Sequence, residues 1–506
     1  MTKPIGAVTT HSIKLVFAAL MLVMVMASLD QSAVNTALPK MTSDLGGLAY
    51  LSWIVTAFML GSTLSTPIYG KLSDMVGRRH MLLVSISIFL VASLLCGIAT
   101  DMIALILFRG LQGLGAGGLM TLSQTVIGDL VEPRERGRYQ GLFTGAFAIS
   151  SVIGPLFGGI LTTELSWRWI FLINLPIGAI ALGLILFALK DVSSPRIHHV
   201  DYPGAALLSV GTIVIMLLLT WGGSTVAWSS IEMAAMIAMS LALLFLFIRR
   251  EKRAPEPIID LSLFHNRSFS IGVTASGMMA FAMFGSLVFL PLLFQLVLGL
   301  SPANAGLMMV PQVLAMLVSS IVGGRLSSRF GRPKPFLVAG VSCETVALCA
   351  LGIMTWSNAG VAAFLVAIAL LGFGMGIGMP NATVIVQNAV GSTALGTATS
   401  TMTFIRLLGG ALGVAFSGGI VAAQLGMRLA GGAGPDAAAS LLEHSVAATM
   451  ALPSSDQALI INAYQGALAV AFFVGAGVML CAWFVCLMLP DERLRRGSSA
   501  DSDLPV

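Results

Sequence analysis

Charged residues are scarce in this chain. Of its 506 residues only 10% are Asp, Glu, Lys or Arg, whereas 57% are hydrophobic. A soluble domain has about a quarter of its residues charged, so these charges are too few to cover a water-facing surface. The composition excludes a soluble globular protein and predicts a chain that crosses a lipid bilayer many times.

Cysteine and histidine are also few, and the common enzyme motifs are absent. The five cysteines lie inside apolar segments, which favours buried hydrophobic side chains over disulfides or metal ligands. The six histidines lie at helix ends or in loops, and the sequence contains no H-E-x-x-H motif, nucleophile elbow or P-loop. We therefore expect no enzyme activity, no metal ion, no cofactor and no nucleic-acid partner.

Long apolar runs recur along the whole chain and predict fourteen transmembrane helices. Pro39 is expected to end the first helix, and its continuation past Asp30 argues against a cleaved signal peptide. Residues 422–464 form an unusually long outer loop, with a short helix expected at 437–450, and 491–506 form a disordered tail. The loop is either functional or a packed cap. The predicted spans lie near 13–38, 51–69, 80–99, 101–122, 139–161, 169–189, 203–221, 232–249, 269–290, 304–324, 336–355, 359–382, 400–421 and 466–488.

Basic residues are unequally divided between the two sides of the predicted membrane. Of the 27 Lys and Arg residues, 22 fall on one side and only Lys40, Arg168 and Arg428 on the other. Cytoplasmic loops carry the excess of basic residues, so both termini are expected in the cytoplasm of a bacterial cell with this chain in its inner (plasma) membrane. The net charge of +5 is thus a sign of topology rather than of nucleic-acid binding.

One short motif occurs twice. Residues 70–79 read GKLSDMVGRR and residues 324–333 read GRLSSRFGRP, with Ser328 in the place of Asp74. The glycines allow a tight reversal of the chain, and two copies imply a duplication. Eight predicted spans separate the copies instead of six, which indicates that two helices are inserted between two six-helix halves.

The first copy resembles the loop between helices 2 and 3 of the major facilitator superfamily, and the second resembles its degenerate counterpart. Residues 29–39 (LDQSAVNTALP) resemble the first-helix motif of the fourteen-span drug:proton antiporters in that superfamily, and residues 145–159 resemble their antiporter motif. The resemblance implies an all-α major facilitator fold of six plus two plus six helices. The expected domains are 1–190, the insertion 191–267, and 268–490.

The resemblance also implies a function. A monomeric secondary transporter is expected, which exports small organic compounds or drugs (a drug-like cation is one candidate) in exchange for protons. Since no nucleotide site is present, the proton gradient would supply the energy and the two halves would rock around a central cavity. A transporter of a specific metabolite, lipid or siderophore is the alternative, and the use of a periplasmic adaptor is left open.

Ionisable residues within the spans are candidate sites because they are costly there and usually functional. Asp30 is the only acid of the first span, and Arg109 lies at a similar depth, so the two could pair. Glu344 and Arg406 are the further ionisable candidates for proton coupling or substrate binding, and Gln295 is a polar candidate from residues 290–311, which also fit the family.

Two glycine-containing sets follow from the resemblance. A conformational switch at the cytoplasmic face would comprise Gly70, Asp74, Gly77, Arg78, Arg79 and Asp129. The antiporter motif would comprise Gly145, Gly154, Pro155, Gly158 and Gly159, where proline and glycine allow a helix to kink and to approach its neighbours closely. A purely topogenic basic cluster remains the alternative for the first set.

Overall fold

The computed structural model describes residues 10–45, 51–189, 201–222, 226–357, 359–391, 394–433, 454–491 and 493–494. This part of the chain is a bundle of α-helices without a β-sheet. A 3-10 turn at Leu261–His265 precedes α10, and a π-helical turn at Leu293–Val297 follows α11. The helices are α1 (Thr10–Leu45), α2 (Leu51–Val76), α3 (Arg78–Gly97), α4 (Met102–Leu130), α5 (Arg136–Glu164), α6 (Arg168–Leu172), α7 (Asn174–Ala188), α8 (Tyr202–Trp221), α9 (Ile231–Glu251), α10 (Arg267–Leu287), α11 (Leu290–Leu292), α12 (Pro302–Met308), α13 (Val310–Phe330), α14 (Pro333–Trp356), α15 (Val361–Asn388), α16 (Leu395–Ala433) and α17 (Ser454–Leu487).

Thirteen helical segments of the described chain are long and apolar enough to cross a membrane. The fourteenth long helix is α2, with 26 residues. Its residues Ser62, Thr63, Ser65, Thr66 and Ser73 are buried, and only Val76 is exposed among residues 53–76. Because α2 packs inside the protein, it needs fewer apolar residues than a lipid-facing helix. The predicted all-α membrane fold is confirmed.

We call helices α1–α7 the first half and helices α10–α17 the second half, and the largest buried hydrophobic clusters of the two differ. One core includes Phe89 and Leu119, and the other includes Leu348 and Phe472. The pair α8–α9 lies within the expected insertion and contacts α2, where the rings of Trp53 and Trp221 are 6.2 Å apart. Residues 191–200 of that insertion lie outside the described residues.

Glycines make the reversals at one end of the bundle, here called the basic end. Gly77, with φ of 110°, is the one residue between α2 and α3, and Gly331, with φ of 66°, ends α13. Both angles favour glycine because a side chain would be strained there. The prediction that residues 70–79 form a loop is wrong: residues 70–76 are helical, since a single positive-φ glycine is enough to end the helix.

The prediction that Pro39 ends α1 is also wrong. The helix continues to Leu45 because a proline removes only one helical hydrogen bond. The extension is stabilised by Lys40 Nζ, which lies 3.1 Å from Asp44 Oδ1, and by Trp167 Nε1, which donates to Asp44 Oδ2 at 3.0 Å. The hydrogen bond from Lys40 holds the pKa of Asp44 below its usual range.

The outer loop is shorter than the predicted 422–464. Helix α16 continues to Ala433, and α17 already begins at Ser454. The residues that extend α16 include several alanines and leucines, which favour a helix. Residues 434–453, with the short helix predicted at 437–450, and residues 495–506 of the tail lie outside the described residues.

Candidate functional site

Asp30 and Arg109 form a buried ion pair inside the first half. Arg109 Nη1 lies 2.7 Å from Asp30 Oδ2, and the two side chains are 1% and 0% exposed. The other carboxylate oxygen accepts hydrogen bonds from Gln112 Nε2 at 2.9 Å and from Asn174 Nδ2 at 2.8 Å. Both amides also donate to Ser93 Oγ. Both oxygens of Asp30 therefore have hydrogen-bond partners within the first half.

Aromatic rings cover the guanidinium group of Arg109. Its Cζ lies 4.2 Å from the ring centroid of Phe58 and 5.7 Å from that of Phe171, a cation–π geometry. Phe58 and Gln31 line the central cavity, whereas Asp30 does not. The ring of Phe58 thus separates the ion pair from the cavity, and the two are one side chain apart.

A cavity of about 150 Å³ lies between the two halves. Helices α1, α2, α4 and α5 line one wall, and α10, α13, α15 and α16 line the other. Sites that enclose drug-sized ligands have volumes of roughly 300–1,000 Å³, so a ligand of that size requires the halves to separate further. Methionine side chains are flexible and allow a cavity wall to repack around different ligands. Six of them line this cavity: Met24, Met59, Met120, Met283, Met316 and Met379.

Arg406 of α16 brings a positive charge to the cavity wall. Its Nε donates to Ser276 Oγ at 2.9 Å, and its Nη2 contacts Thr383 Oγ1 at 3.2 Å and Met402 Sδ at 3.6 Å. These acceptors belong to α10, α15 and α16, and all three are uncharged. The structure therefore places Arg406 at the cavity without a carboxylate partner among the described residues.

Glu344 and Gln295 lie away from the cavity wall. Glu344 is fully buried on α14 against Gly374, and neither of its carboxylate oxygens has a hydrogen-bond partner in the described structure. An ionised carboxylate without partners would be costly at such a place. Gln295 is half-buried in the π-helical turn that follows α11.

Asp74 joins the two halves at the basic end. Its Oδ2 accepts hydrogen bonds from the Thr397 backbone N–H and hydroxyl, both at 2.8 Å, and its Oδ1 accepts from the Gly396 N–H at 3.1 Å. The carboxylate thereby caps the first turn of α16 and faces the positive end of its dipole. Arg78 pairs with Asp74 and also with Asp129, whose Oδ2 lies 2.8 Å from Nε. We call these five residues the Asp74 cluster.

The other predicted switch residues lie beside this cluster. A side chain on Gly70 would collide with Ser400 and with the Gly396 carbonyl oxygen, 2.8 Å away, so glycine allows α2 to approach α16. Gly77 makes the turn that positions Arg78. Arg79 instead donates from Nη2 to the Leu186 carbonyl oxygen at 2.9 Å, a contact within the first half.

The second copy of the repeated motif also contacts the opposite half. Ser328 Oγ accepts a hydrogen bond from the Arg138 N–H at 3.1 Å, in the first turn of α5. Arg134 Nη2 donates to the Arg329 carbonyl oxygen at 2.8 Å. Each copy of the motif therefore caps a helix of the other half.

Sequence reasoning missed Gln387 of α15, which is buried between the halves. Its Nε2 donates to the Gln124 carbonyl oxygen at 3.0 Å, and its Oε1 lies 3.4 Å from Gln140 Nε2. Its own carbonyl oxygen accepts from Arg136 Nη1 at 3.2 Å. The sequence carried little signal for it, because Gln387 lies beyond the predicted span 359–382, whereas α15 continues to Asn388.

The antiporter-motif residues of α5 face different neighbours. A side chain on Gly145 would lie 2.8 Å from Leu317 of α13, in the other half. Gly154 and Gly158 instead face α1 of their own half, and Gly159 faces open space. Pro155 lies within α5, which continues to Glu164. The motif therefore does not form one contact surface.

Two glycines outside the motif complete the contact between α5 and α13. A Cβ on Gly141 would collide with the Ser320 carbonyl oxygen, and one on Gly137 would lie 3.0 Å from the Gly324 carbonyl oxygen. Gly137, Gly141 and Gly145 are four residues apart and share one face of α5. Backbone meets backbone along this face, which closes the basic end of the cavity.

The model of the Major Facilitator Superfamily matches residues 20–203 and 204–414 of this helical bundle. The chain belongs to that superfamily. It is similar to the multidrug transporter protein MdtP of Bacillus subtilis (strain 168), with 36% identity over 415 residues, 82% of this chain and 76% of the relative. Multidrug resistance protein 3 of the same organism is 35% identical over 411 residues, 80% of this chain and 79% of the relative.

A solved structure of the major facilitator proton:xylose symporter XylE superposes with a TM-score of 0.62. The two chains are 15% identical, and the match covers 96% of this chain and 98% of that one. This likeness shows the fold alone. The family and its helices make this major facilitator chain a multi-pass membrane transporter and not an enzyme, as its motifs predicted.

Proposed function

We propose that this major facilitator protein exports small amphipathic organic compounds across the cytoplasmic membrane. The observation that carries the proposal is the cavity between the halves, which contacts of Asp74, Ser328 and Gln387 close at the basic end. With the basic end and both termini in the cytoplasm, this conformation is closed to the cell interior. The names of the two Bacillus relatives, a multidrug transporter and a multidrug resistance protein, support drug-like substrates, and export is how a transporter confers resistance.

The cavity wall supports a broad range of substrates. Six methionines and the rings of Phe58, Phe143 and Phe147 offer apolar contacts that can repack, and eight polar side chains lie between them. A specific metabolite site would need several polar groups fixed by their own partners. In this wall the methionines and aromatic rings predominate.

The proposed energy source is the proton gradient, with no bound cofactor. The sequence offers two acids within the membrane spans as candidates for proton coupling, Asp30 and Glu344. Asp30 is the stronger candidate for the proton-carrying group because its partner Arg109 packs on the ring of Phe58, which lines the cavity. A movement of Phe58 on substrate binding would disturb the cation–π contact and hence the ion pair. Glu344 lies on α14, away from the cavity wall.

Export is tested with a susceptibility panel in an efflux-deficient bacterial host. Cells that produce the protein should tolerate several unrelated amphipathic compounds better than cells with the empty vector, and a protonophore should remove the difference. The inactive control is Gly141→Leu, which places a large side chain against the Ser320 carbonyl oxygen. Unchanged tolerance across the panel, at equal membrane levels, would contradict the proposal.

Coupling is tested by substrate-induced proton release from the purified protein in detergent. Asp30→Asn should abolish the release. Because that change also strands the charge of Arg109, the matched variant Asp30→Asn/Arg109→Gln restores neutrality, and it too should release no proton. Release that persists in both variants and disappears in Glu344→Gln would transfer the role to Glu344.

A further inference from the structure

The described side chains that line the cavity include a positive charge but no negative charge. Arg406 is the charged residue among the described side chains that line it, and no acid lines it in that part of the chain. Asp30 of α1, a helix that also lines the cavity, is neutralised by Arg109 at 2.7 Å, and the Arg109 guanidinium packs on the Phe58 ring. The cavity therefore presents a net positive charge to whatever enters it.

One nitrogen of the Arg406 guanidinium has no hydrogen-bond acceptor in the part of the chain that the structure describes. Arginine carries five N–H donors in a planar fork. The Nε and Nη2 groups contact Ser276, Thr383 and Met402, while Nη1 has no acceptor among the described residues. Arg406 lines the cavity, and Nη1 is not among the buried side-chain atoms that lack a partner, so it is not fully enclosed by protein.

The contacts of Arg406 fix its orientation. Ser276 belongs to α10 and Thr383 to α15, so two helices hold the guanidinium from its Nε side. The free Nη1 carries two N–H groups, so it can donate to the oxygens of an anionic group such as a carboxylate. The methionines and phenylalanines around it suit the apolar body that such an anion would carry.

From these observations we infer that the central cavity selects amphipathic organic anions, such as aromatic carboxylates, and that Arg406 binds their anionic group. The inference rests on the proposal that this cavity is the transport site, and it replaces the expectation of a drug-like cation. The rival role for Arg406 is a structural brace that joins α10, α15 and α16 and does not contact the substrate.

The test is direct binding to the purified full-length protein in detergent, measured by isothermal titration. The probes share one ring system and differ in charge: naphthoate, the neutral naphthamide and the cationic naphthylmethylammonium. The wild type should bind naphthoate about tenfold or more tightly than either other probe, as expected for a hydrogen bond to a charged group. Arg406→Gln should remove this preference and leave naphthamide binding within about twofold.

Three controls separate the possible outcomes. Arg332→Gln removes a positive charge from the basic end, where Arg332 lies 3.8 Å from Asp491, and should change nothing. Arg406→Lys should keep part of the preference because it keeps the charge. The wild-type comparison of the three probes does not depend on how well any variant folds.

The inference is overturned if the wild type binds no naphthoate, if it binds the cation as tightly, or if Arg406→Gln weakens all three probes alike. The last result would identify Arg406 as a brace. Binding does not require transport, so anion selectivity without drug tolerance in cells would contradict the proposed export and leave this inference intact. Drug tolerance in cells without anion selectivity in binding would support the proposed export and contradict this inference.

Discussion

The Ser328 hydroxyl accepts a hydrogen bond from the Arg138 N–H at 3.1 Å. It thereby does for α5 what the Asp74 carboxylate does for α16. The two acceptors occupy the same position in the two copies of the repeated motif, and each caps a helix of the opposite half. The duplication is thus visible as two related contacts across one interface, of which only the first carries a negative charge.

Asp74→Asn should weaken closure of the basic end. The change removes the ion pair with Arg78 and the charge that faces the α16 dipole, a loss of about 1–3 kcal/mol. Hydrogen–deuterium exchange should therefore accelerate in the first turn of α16, at Gly396 and Thr397. Ser328→Ala, which removes a neutral acceptor, should have a smaller effect, confined to the first turn of α5. Equal exchange in Asp74→Asn and wild type would contradict a closing role for Asp74.

Gly141→Ala should separate α5 from α13, because its methyl group would overlap with the Ser320 carbonyl oxygen. We expect faster exchange at the basic ends of both helices and reduced export. Gly159→Ala is the matched control, since a methyl group there meets no atom within 4 Å. If the two alanine variants behave alike, closure of this interface does not depend on close backbone contact.

Asp30→Asn should lower thermal stability as well as transport. Breaking a buried ion pair leaves one charge without compensation, which costs about 3–5 kcal/mol. Asp30→Asn/Arg109→Gln should recover most of that loss, and thermal unfolding of the detergent-solubilised protein measures both. A single variant as stable as the wild type would mean that the pair contributes little in the folded protein.

The ion pair between Asp201 and Arg250, which joins α8 to α9, should persist down to low pH. Arg250 Nε and Nη2 bind Asp201 at 2.7–3.1 Å. Burial raises the pKa of Asp201, but the hydrogen bonds from Arg250 and the Gly204 N–H outweigh it and hold that pKa below its usual range. A lowered folded-state pKa gives stabilisation that is present above about pH 4 and is lost only as the pH falls through the folded value.

This ion pair is tested by exchange in α8. Between about pH 5 and 8 the wild-type protection should not depend on the titration of Asp201, whereas Asp201→Asn should lower it throughout. Asp44→Asn, which disrupts the ion pair with Lys40 at the C-terminal end of α1, should leave the exchange in α8 unchanged. Wild-type protection that falls already near neutral pH would show that another group controls the contact.

Transport of an anion against a proton should depend steeply on membrane potential. One monovalent anion leaving and one proton entering move two positive charges inward, each worth about 2.3 kcal/mol per 100 mV. In proteoliposomes with a valinomycin-set potassium potential, naphthoate transport should respond about twice as steeply as naphthamide transport. Equal slopes for the two probes would be inconsistent with anion–proton exchange.

The sequence predicted the number and the order of the membrane spans, because hydropathy, basic loops and repeated motifs are local properties of the chain. It also placed Asp30 and Arg109 at one depth. It could not fix the rotation of each helix about its axis, which decides that Gln31 faces the cavity while its neighbour Asp30 faces the bundle. Gly141 and Ser320 are far apart in the sequence, and no local sequence pattern indicates that they are in contact.

The backbone contact of α5 with α13 has an energetic consequence. Hydrophobic stabilisation grows by about 25 cal/mol for each Å² of apolar surface removed from water, and glycine contributes no side chain to that area. Opening the basic end to water therefore rehydrates little apolar surface along this face, and water can replace the polar contacts that separate. The closed and open conformations can then lie close in free energy, so that a substrate or a proton with a modest preference for one of them determines which is populated.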